Sequence, residues 1–360
     1  MRIHDAWVKR VLLFPALLIA CVFSAVAEPA KSPKNVILMI GDGMGLAQLQ
    51  SGAVAKKAPL ELEKFRSIGF AKTHSADDFV TDSAAAGTAL ATGHKTNNGM
   101  IGQDPSGKAV NSLLTLARNK GLATGLVVTK DITDATPAAF VAHQPSRKMA
   151  EEIAADLVES GVDVFVGGGR KRFDKREDGR DLIRELKQKN YKVVSGTDEI
   201  EKITSGKVAG FVSTERWHGR ETDQLKRTTV AALRILEENP KGFFLMVEGS
   251  QIDSAGHDNK IEDVMGEMMD FDKAIGAALA FAEKNPDTLI VVTADHETGG
   301  LTLRDGSLKE GTIHARFSTG GHTGVMVPVF AYGPGAEEFA GIYENTDIFQ
   351  KVKRLLHLAD

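Results

Sequence analysis

Val36-Ile37-Leu38-Met39-Ile40 runs straight into Gly41-Asp42-Gly43, and the same grammar recurs twice. Phe243 to Val247 ends at Glu248, and Leu289 to Thr293 ends at Asp295-His296. A short apolar run rich in β-branched residues and closed by glycine or a polar residue reads as a buried strand. In an α/β sheet the carboxyl ends of parallel strands open onto the crevice where ligands bind. One such run ending in an acid is an ordinary loop; three of them predict a shared site fed by carboxylates and imidazole.

Working outward, further strands are predicted at Ala123 to Val128, Val162 to Val166, Lys192 to Val194 and Val327 to Ala331. Helical spacing marks Ser112 to Asn119, Met149 to Ser160, Arg180 to Lys189, Asp223 to Glu238 and Ile261 to Lys284. The alternation predicts an α/β layer fold, a mostly parallel central sheet sandwiched by helices. Gly299 to Gly321 is rich in Gly, Thr and charge, lacks helical periodicity, and reads as an excursion from the core. Glycines 167 to 169 are not followed by a P-loop lysine and Ser/Thr, so they read as a strand-to-helix turn.

The 360 residues, 42% hydrophobic and 26% charged, describe a globular chain with ample core. A formal charge of −4 and no basic stripe exclude nucleic-acid binding through phosphate contacts. Residues 1–27 have a cationic start (Arg2, Lys9, Arg10), an apolar run from Val11 to Val26, and Ala25-Val26-Ala27 before polar residues, the layout of a cleaved secretory signal. The run is short and broken by Pro15, which argues against a transmembrane anchor. Export to the periplasm or medium is expected, with one mature domain over 28–360. A minority alternative is lipoprotein processing at Cys21, after Leu18-Ile19-Ala20. Cys21 is the sole cysteine, so cleavage after Ala27 leaves no disulfide chemistry and moves the formal charge from −4 to −6.

Asp253 and His257 stand four apart just beyond a strand, on one face of a helical turn if one forms there, which suits two ligands of one zinc or a plain surface ion pair. Asp295-His296 can splay to one ion or to none, and His322 sits in Gly320-Gly321-His322-Thr323-Gly324, where backbone can approach a site closely. Ser83, in Thr81-Asp82-Ser83-Ala84-Ala85-Ala86-Gly87, opens a helix. Its ordinary job there is capping. The functional alternative is a nucleophile at the positive helix end, activated by a metal ion rather than a histidine base. No Gly-x-Ser-x-Gly elbow surrounds it.

Taken together, six ordered motifs closely resemble alkaline phosphatase. They are Ile40-Gly41-Asp42-Gly43-Met44-Gly45; Thr81-Asp82-Ser83-Ala84-Ala85; Asp134-Ala135-Thr136-Pro137 with Ser146-Arg147 downstream; Val247-Glu248-Gly249 through His257; Ala294-Asp295-His296; and Gly321-His322-Thr323-Gly324. The resemblance runs from about Lys34 to the C-terminal helix. It implies phosphate monoester hydrolysis through a phosphoserine on Ser83, two zinc ions, one magnesium ion and a homodimer. Asp253, His257 and His322 would hold one zinc; Asp42, Asp295 and His296 the other. Asp42 would bridge to magnesium with Thr136 and Glu248. Arg147 would bind the phosphoryl oxygens, with Asp82 and Asp134 in support, and activity would fall at acid pH.

Departures matter too. Ser254 stands where some members carry Lys or Trp, so a cation contacting phosphate there is expected to be absent. Glu297-Thr298 stands where some have another histidine, which leaves the hydrogen bonding behind the zinc ligands open. Asp134 stands where members have Asp or His, and the acid would favour hydrated magnesium. Only 25 residues separate His296 from His322, implying a reduced crown over 299–321. A phosphodiesterase of the same superfamily usually lacks counterparts of Arg147 and the third-metal residues. A sulfatase would need Cys- or Ser-x-Pro-x-Arg at the nucleophile. A binding protein without turnover gives Ser83 and Arg147 no job.

Overall fold

The computed structural model describes residues 32–216 and 223–359. The leader over 1–27 and Cys21 lie outside the described residues. Eight strands precede the Asp295-His296 pair: β1 (Asn35–Gly41), β2 (Ser67–Lys72), β3 (Ala123–Asp131), β4 (Val164–Gly168), β5 (Tyr191–Ser195), β6 (Lys207–Phe211), β7 (Phe243–Gly249) and β8 (Thr288–Thr293). Six follow: β9 (Glu297–Thr298), β10 (Leu301–Ser307), β11 (Thr312–Phe317), β12 (His322–Thr323), β13 (Val327–Tyr332) and β14 (Gly341–Glu344). Among the described residues ten of them form one sheet, in the order β14-β2-β13-β8-β1-β7-β3-β4-β6-β5. All its pairings are parallel except those made by β13.

The central strands are buried along their whole length because their sequences are apolar on both faces, as a doubly covered parallel sheet requires. Helices flank the sheet in two groups. Ile261–Lys284 packs with Leu46–Lys56, Gln224–Leu236 and Gln251–His257, while Ser83–Thr92 packs with Asn345–Leu355 and Ala135–Ala138. The glycine run does form a strand-to-helix turn: β4 ends at Gly168, Gly169 takes φ +80°, and the helix Lys171–Asp174 follows.

Register carries the site. Ile40 of β1 lies opposite Glu248 of β7 on one side and Thr293 of β8 on the other. Asp42 and Asp295, each two residues further along, therefore leave the sheet at the same level, beside Glu248. The excursion over 299–321 is a two-stranded β10–β11 hairpin outside the main sheet, and β12 pairs with β9 to bring His322 back alongside Thr298.

Candidate active site

The helix Ser83–Thr92 begins after Asp82, whose carboxylate accepts a hydrogen bond from the Ala85 amide. Capping is thus done by Asp82 and not by the serine. Ser83 occupies the first helical position, is buried, and places Oγ 3.1 Å from His296 Nε2. The same Nε2 lies 3.1 Å from Asp295 Oδ2 and 3.5 Å from Asp42 Oδ1. Serine, two carboxylates and an imidazole delivered by one helix and two strand ends converge within 3.5 Å of one atom.

A second set adjoins it. Asp253 and His257 do lie on one helical turn, Gln251–His257, with His257 Nε2 3.2 Å from Asp253 Oδ1. His322 Nε2 is 3.5 Å from that oxygen and 3.2 Å from His257 Nε2, and its ring stacks on His296 with centroids 3.5 Å apart. His296 stands between the two groups and completes either one: with Asp42 and Asp295, or with Asp253 and His322.

The tautomers follow from the partners. His257 Nδ1 lies 2.7 Å from the Gly320 carbonyl and His322 Nδ1 2.9 Å from the Thr81 carbonyl. A carbonyl only accepts, so each Nδ1 carries a hydrogen, and each Nε2 is left facing Asp253 Oδ1, to which it donates when the ring is protonated and beside which it can bind a cation when the ring is neutral. Thr298 Oγ1 donates to Asp253 Oδ1 and lies 3.2 Å from His296 Nδ1, orienting the third ring in the same way. In their neutral form three imidazole nitrogens turned onto carboxylates need a cation between them, and backbone or hydroxyl groups behind metal-binding rings are what fixes such rings. The hydrogen bonding left open by the sequence is therefore supplied by Thr298. Glu297 braces the loop, accepting from Gln48 Nε2 at 2.7 Å and from the amides of Gly300 and Leu301.

Electrostatics points the same way. Asp42 Oδ1, Asp295 Oδ2, both Glu248 carboxylate oxygens and Thr136 Oγ1 are buried without a hydrogen-bond partner among the described residues. Buried carboxylates that lack partners are strongly unfavourable. Burial, then the charges of Asp295 and Asp253, hold the Asp42 carboxyl well above the ordinary range. Burial, with Asp134 next, pushes Glu248 up to about 8. Asp253 goes the opposite way: burial would raise it, but hydrogen bonds from His257 and His322 outweigh that and lower it. The hydrogen bond to Asp253 raises His257; in His322 the same carboxylate and the Thr81 carbonyl overcome burial. Divalent cations bound by these atoms would satisfy the set that protons satisfy poorly; Asp42, Thr136 and Glu248, the oxygen-only group implied by the family resemblance, each carry a buried oxygen without a partner among the described residues.

Arg147 reaches in from the loop before the helix Ala150–Ser160. Its Nη1 donates to Asp82 Oδ2 and its Nη2 to Asp134 Oδ1, each at 3.2 Å. Asp82 is therefore shared between the cap of the Ser83 helix and the guanidinium, so one carboxylate sets the relative position of serine and arginine. Asp134 caps the short helix that carries Thr136. Of the residues predicted from the sequence, Ser83, Asp42, Asp295, His296, Asp253, His257 and His322 meet in the two adjoining groups and Arg147, Asp82 and Asp134 are linked to the Ser83 helix, while Glu248 lies on the strand beside β1 and Thr136 is buried on the short helix that Asp134 caps.

One residue was missed. Lys130, at the end of β3, places Nζ 3.3 Å from Asp253 Oδ2 and 3.8 Å from Asp134 Oδ2. Position 254 carries no cation, but a positive charge does reach the Asp253 group from another strand. The signal was available, since β3 ends at the same sheet edge as β1, β7 and β8. A groove of about 750 Å³ lined by Val230, Leu233, Ala280 and Phe281 holds none of these groups, so chemistry rather than cavity size marks the site.

A model of the family described as alkaline phosphatase matches residues 33–316 and 310–358. The chain belongs to the alkaline phosphatase family. It is similar to alkaline phosphatase 4 of Bacillus subtilis (strain 168), with 36% identity covering 90% of this chain and 89% of the relative. Similarity to the alkaline phosphatase of Escherichia coli (strain K12) is 32% over 91% of this chain and 87% of the relative. Among solved structures, the alkaline phosphatase from the Antarctic bacterium TAB5 superposes with a TM-score of 0.88 at 42% identity, covering 92% of this chain and all of that one. As an alkaline phosphatase family member the chain is a metal-binding phosphomonoesterase. Its fold is the family's large, mostly parallel sheet flanked by helices.

Proposed function

We propose that this chain hydrolyses small-molecule phosphate monoesters through a phosphoserine on Ser83, served by two zinc ions and one magnesium ion. The observation that carries the reading is the Ser83 hydroxyl. It is relieved of capping by Asp82 and lies buried 3.1 Å from the His296 nitrogen that also faces Asp42 and Asp295.

Asp253, His257 and His322 would hold one zinc, and Asp42, Asp295 and His296 the other; imidazole-rich sets suit that ion. Asp42, Thr136 and Glu248 offer the hard oxygen donors magnesium takes. A variant of the TAB5 enzyme with one histidine replaced by aspartate has magnesium bound in its M3 site. The aspartate this chain carries at Asp134, where the family resemblance allows Asp or His, supports the same preference here. Divalent ions bound there supply Lewis acidity that favours the serine alkoxide and offsets charge on entering and leaving oxygens.

Ser83 Oγ gives up its proton to solvent and forms the new bond to phosphorus as the ester P–O bond breaks, and the departing alkoxide takes a proton from solvent. Water then attacks from the side the alcohol has left, the P–Oγ bond breaks, and Ser83 is restored with release of inorganic phosphate. Arg147, held by Asp82 and Asp134 next to the nucleophile, pairs with nonbridging phosphoryl oxygens. Catalysis is positioning plus charge stabilisation, as for phosphoryl transfer generally. The small-molecule substrate class is supported by similarity to a streptomycin-6-phosphate phosphatase of Streptomyces griseus, 31% identical over 98% of both chains.

Residues 28–360 would form the exported catalytic domain, with 299–321 as its short crown, after loss of the leader at 1–27; lipidation at Cys21 is the alternative route. Among the described residues no helix is long and apolar enough to cross a membrane. The homodimer implied by the family resemblance is supported by exposed Phe79, close against Gly324, and by exposed Val325 and Met326, which follow Gly324 in the chain.

The test is p-nitrophenyl phosphate turnover by the zinc- and magnesium-loaded protein, by the EDTA-treated protein and by Ser83→Ala. The serine variant should lose about a thousandfold or more in kcat. Equal turnover in the wild type and Ser83→Ala would overturn the reading.

A further inference from the structure

Lys130 is the positive charge at this edge that the phosphatase chemistry above does not use. Its side chain is one-fifth exposed, and it faces carboxylates from two different elements. On Asp253 it takes Oδ2, whereas His257, His322 and Thr298 all turn to Oδ1, so that carboxylate is stretched between an ammonium on one side and the candidate zinc set on the other. On Asp134 it faces Oδ2, whereas Arg147 takes Oδ1. Asp42 and Glu248, the acids of the oxygen-only group, are the remaining carboxylates that act on it most strongly. An ammonium is a compact point charge that can serve several carboxylates without the planar geometry of a guanidinium.

We propose that Lys130 is a positioning residue that acts as a fixed monovalent cation at the rim of the third metal site, setting Asp253 and lowering that site's affinity for magnesium. The inference rests on the three-site reading above. Its physical content is simple. The ammonium neutralises part of the charge that draws a divalent ion to Asp42, Thr136 and Glu248, and repels the ion once bound; both effects act across a buried region where screening is weak. A chain so built keeps its acidic cluster compact when magnesium is scarce, and binds magnesium less tightly when it is plentiful.

The test is magnesium titration by calorimetry into zinc-loaded wild type, Lys130→Met and Lys130→Arg, with zinc content and melting temperature measured for each. Lys130→Met should bind magnesium about tenfold more tightly, a charge effect at this range, and Lys130→Arg should return to near the wild-type affinity. A packing role would lower the melting temperature without tightening magnesium. If Lys130→Met does not fold, Lys130→Gln, which keeps a donor for Asp253 but no charge, carries the same expectation. A wild-type magnesium step that stays put, or weakens, when the charge is removed overturns the role of Lys130 alone. No magnesium step in any of the proteins overturns the three-site reading together with it.

Discussion

Glu248 and Asp42 show what single side chains must solve here. Each sits at a strand end with buried oxygens that no described residue satisfies, so a proton or a metal must do it. With Glu248 pushed up to about 8 from its ordinary 4.5, a cation that needs its carboxylate competes with a proton. Magnesium affinity should therefore rise as pH is raised from 4.5 to about 8 and level off above; calorimetry across that range checks it, and a flat profile would contradict it. Arg147 solves a different problem, holding a flexible guanidinium ready between Asp82 and Asp134. Arg147→Ala should raise the inhibition constant for inorganic phosphate and lower kcat/KM by about ten- to a hundredfold, the worth of hydrogen bonds to a charged partner.

At the scale of elements, the loop after β1 and the cap of the Ser83 helix set the geometry. Gly43 has φ +75°, and a Cβ there would come within 2.8 Å of both Asp253 Cα and Thr298 Oγ1. Gly43→Ala should displace the Asp253 group, lowering zinc content in elemental analysis as well as stability by about 1–3 kcal/mol; full zinc occupancy would count against this coupling. The strands that carry ligands were legible because β1, β7 and β8 are covered on both faces and read as unbroken apolar runs. β2 and β14 were not: they lie at or next to a sheet edge, and Ser67, Lys72 and Glu344 interrupt any apolar signal. β6, only Lys207–Phe211, is buried but short and contains glycine. The site was legible wherever a ligand followed a strand or sat in a motif. Lys130 escaped because a lysine ending a strand looks like a solvated edge until the acids around it are seen, and Thr298 because a lone threonine in a loop announces no partner.

For the whole molecule, the distant segments that meet at this edge repel one another unless cations hold them. EDTA treatment should lower the melting temperature, and the metal-free protein should become less stable as pH rises. The sign follows from the raised groups. Glu248 and Asp42 bind more protons folded than unfolded above their ordinary ranges, and His257 and His322, raised by Asp253, give up their stabilisation as they deprotonate. Asp253 and Asp295, held below 3.8, do not titrate in that window. Scanning calorimetry between pH 4.5 and about 8 should show a fall on the order of several degrees without metal and little change with it. The most direct measurement of the central claim is acid quench of the metal-loaded enzyme during turnover of a labelled phosphate monoester, followed by peptide mapping. The account predicts label on the peptide carrying Ser83 and none in Ser83→Ala; an unlabelled wild-type enzyme, or label on another residue, would contradict it.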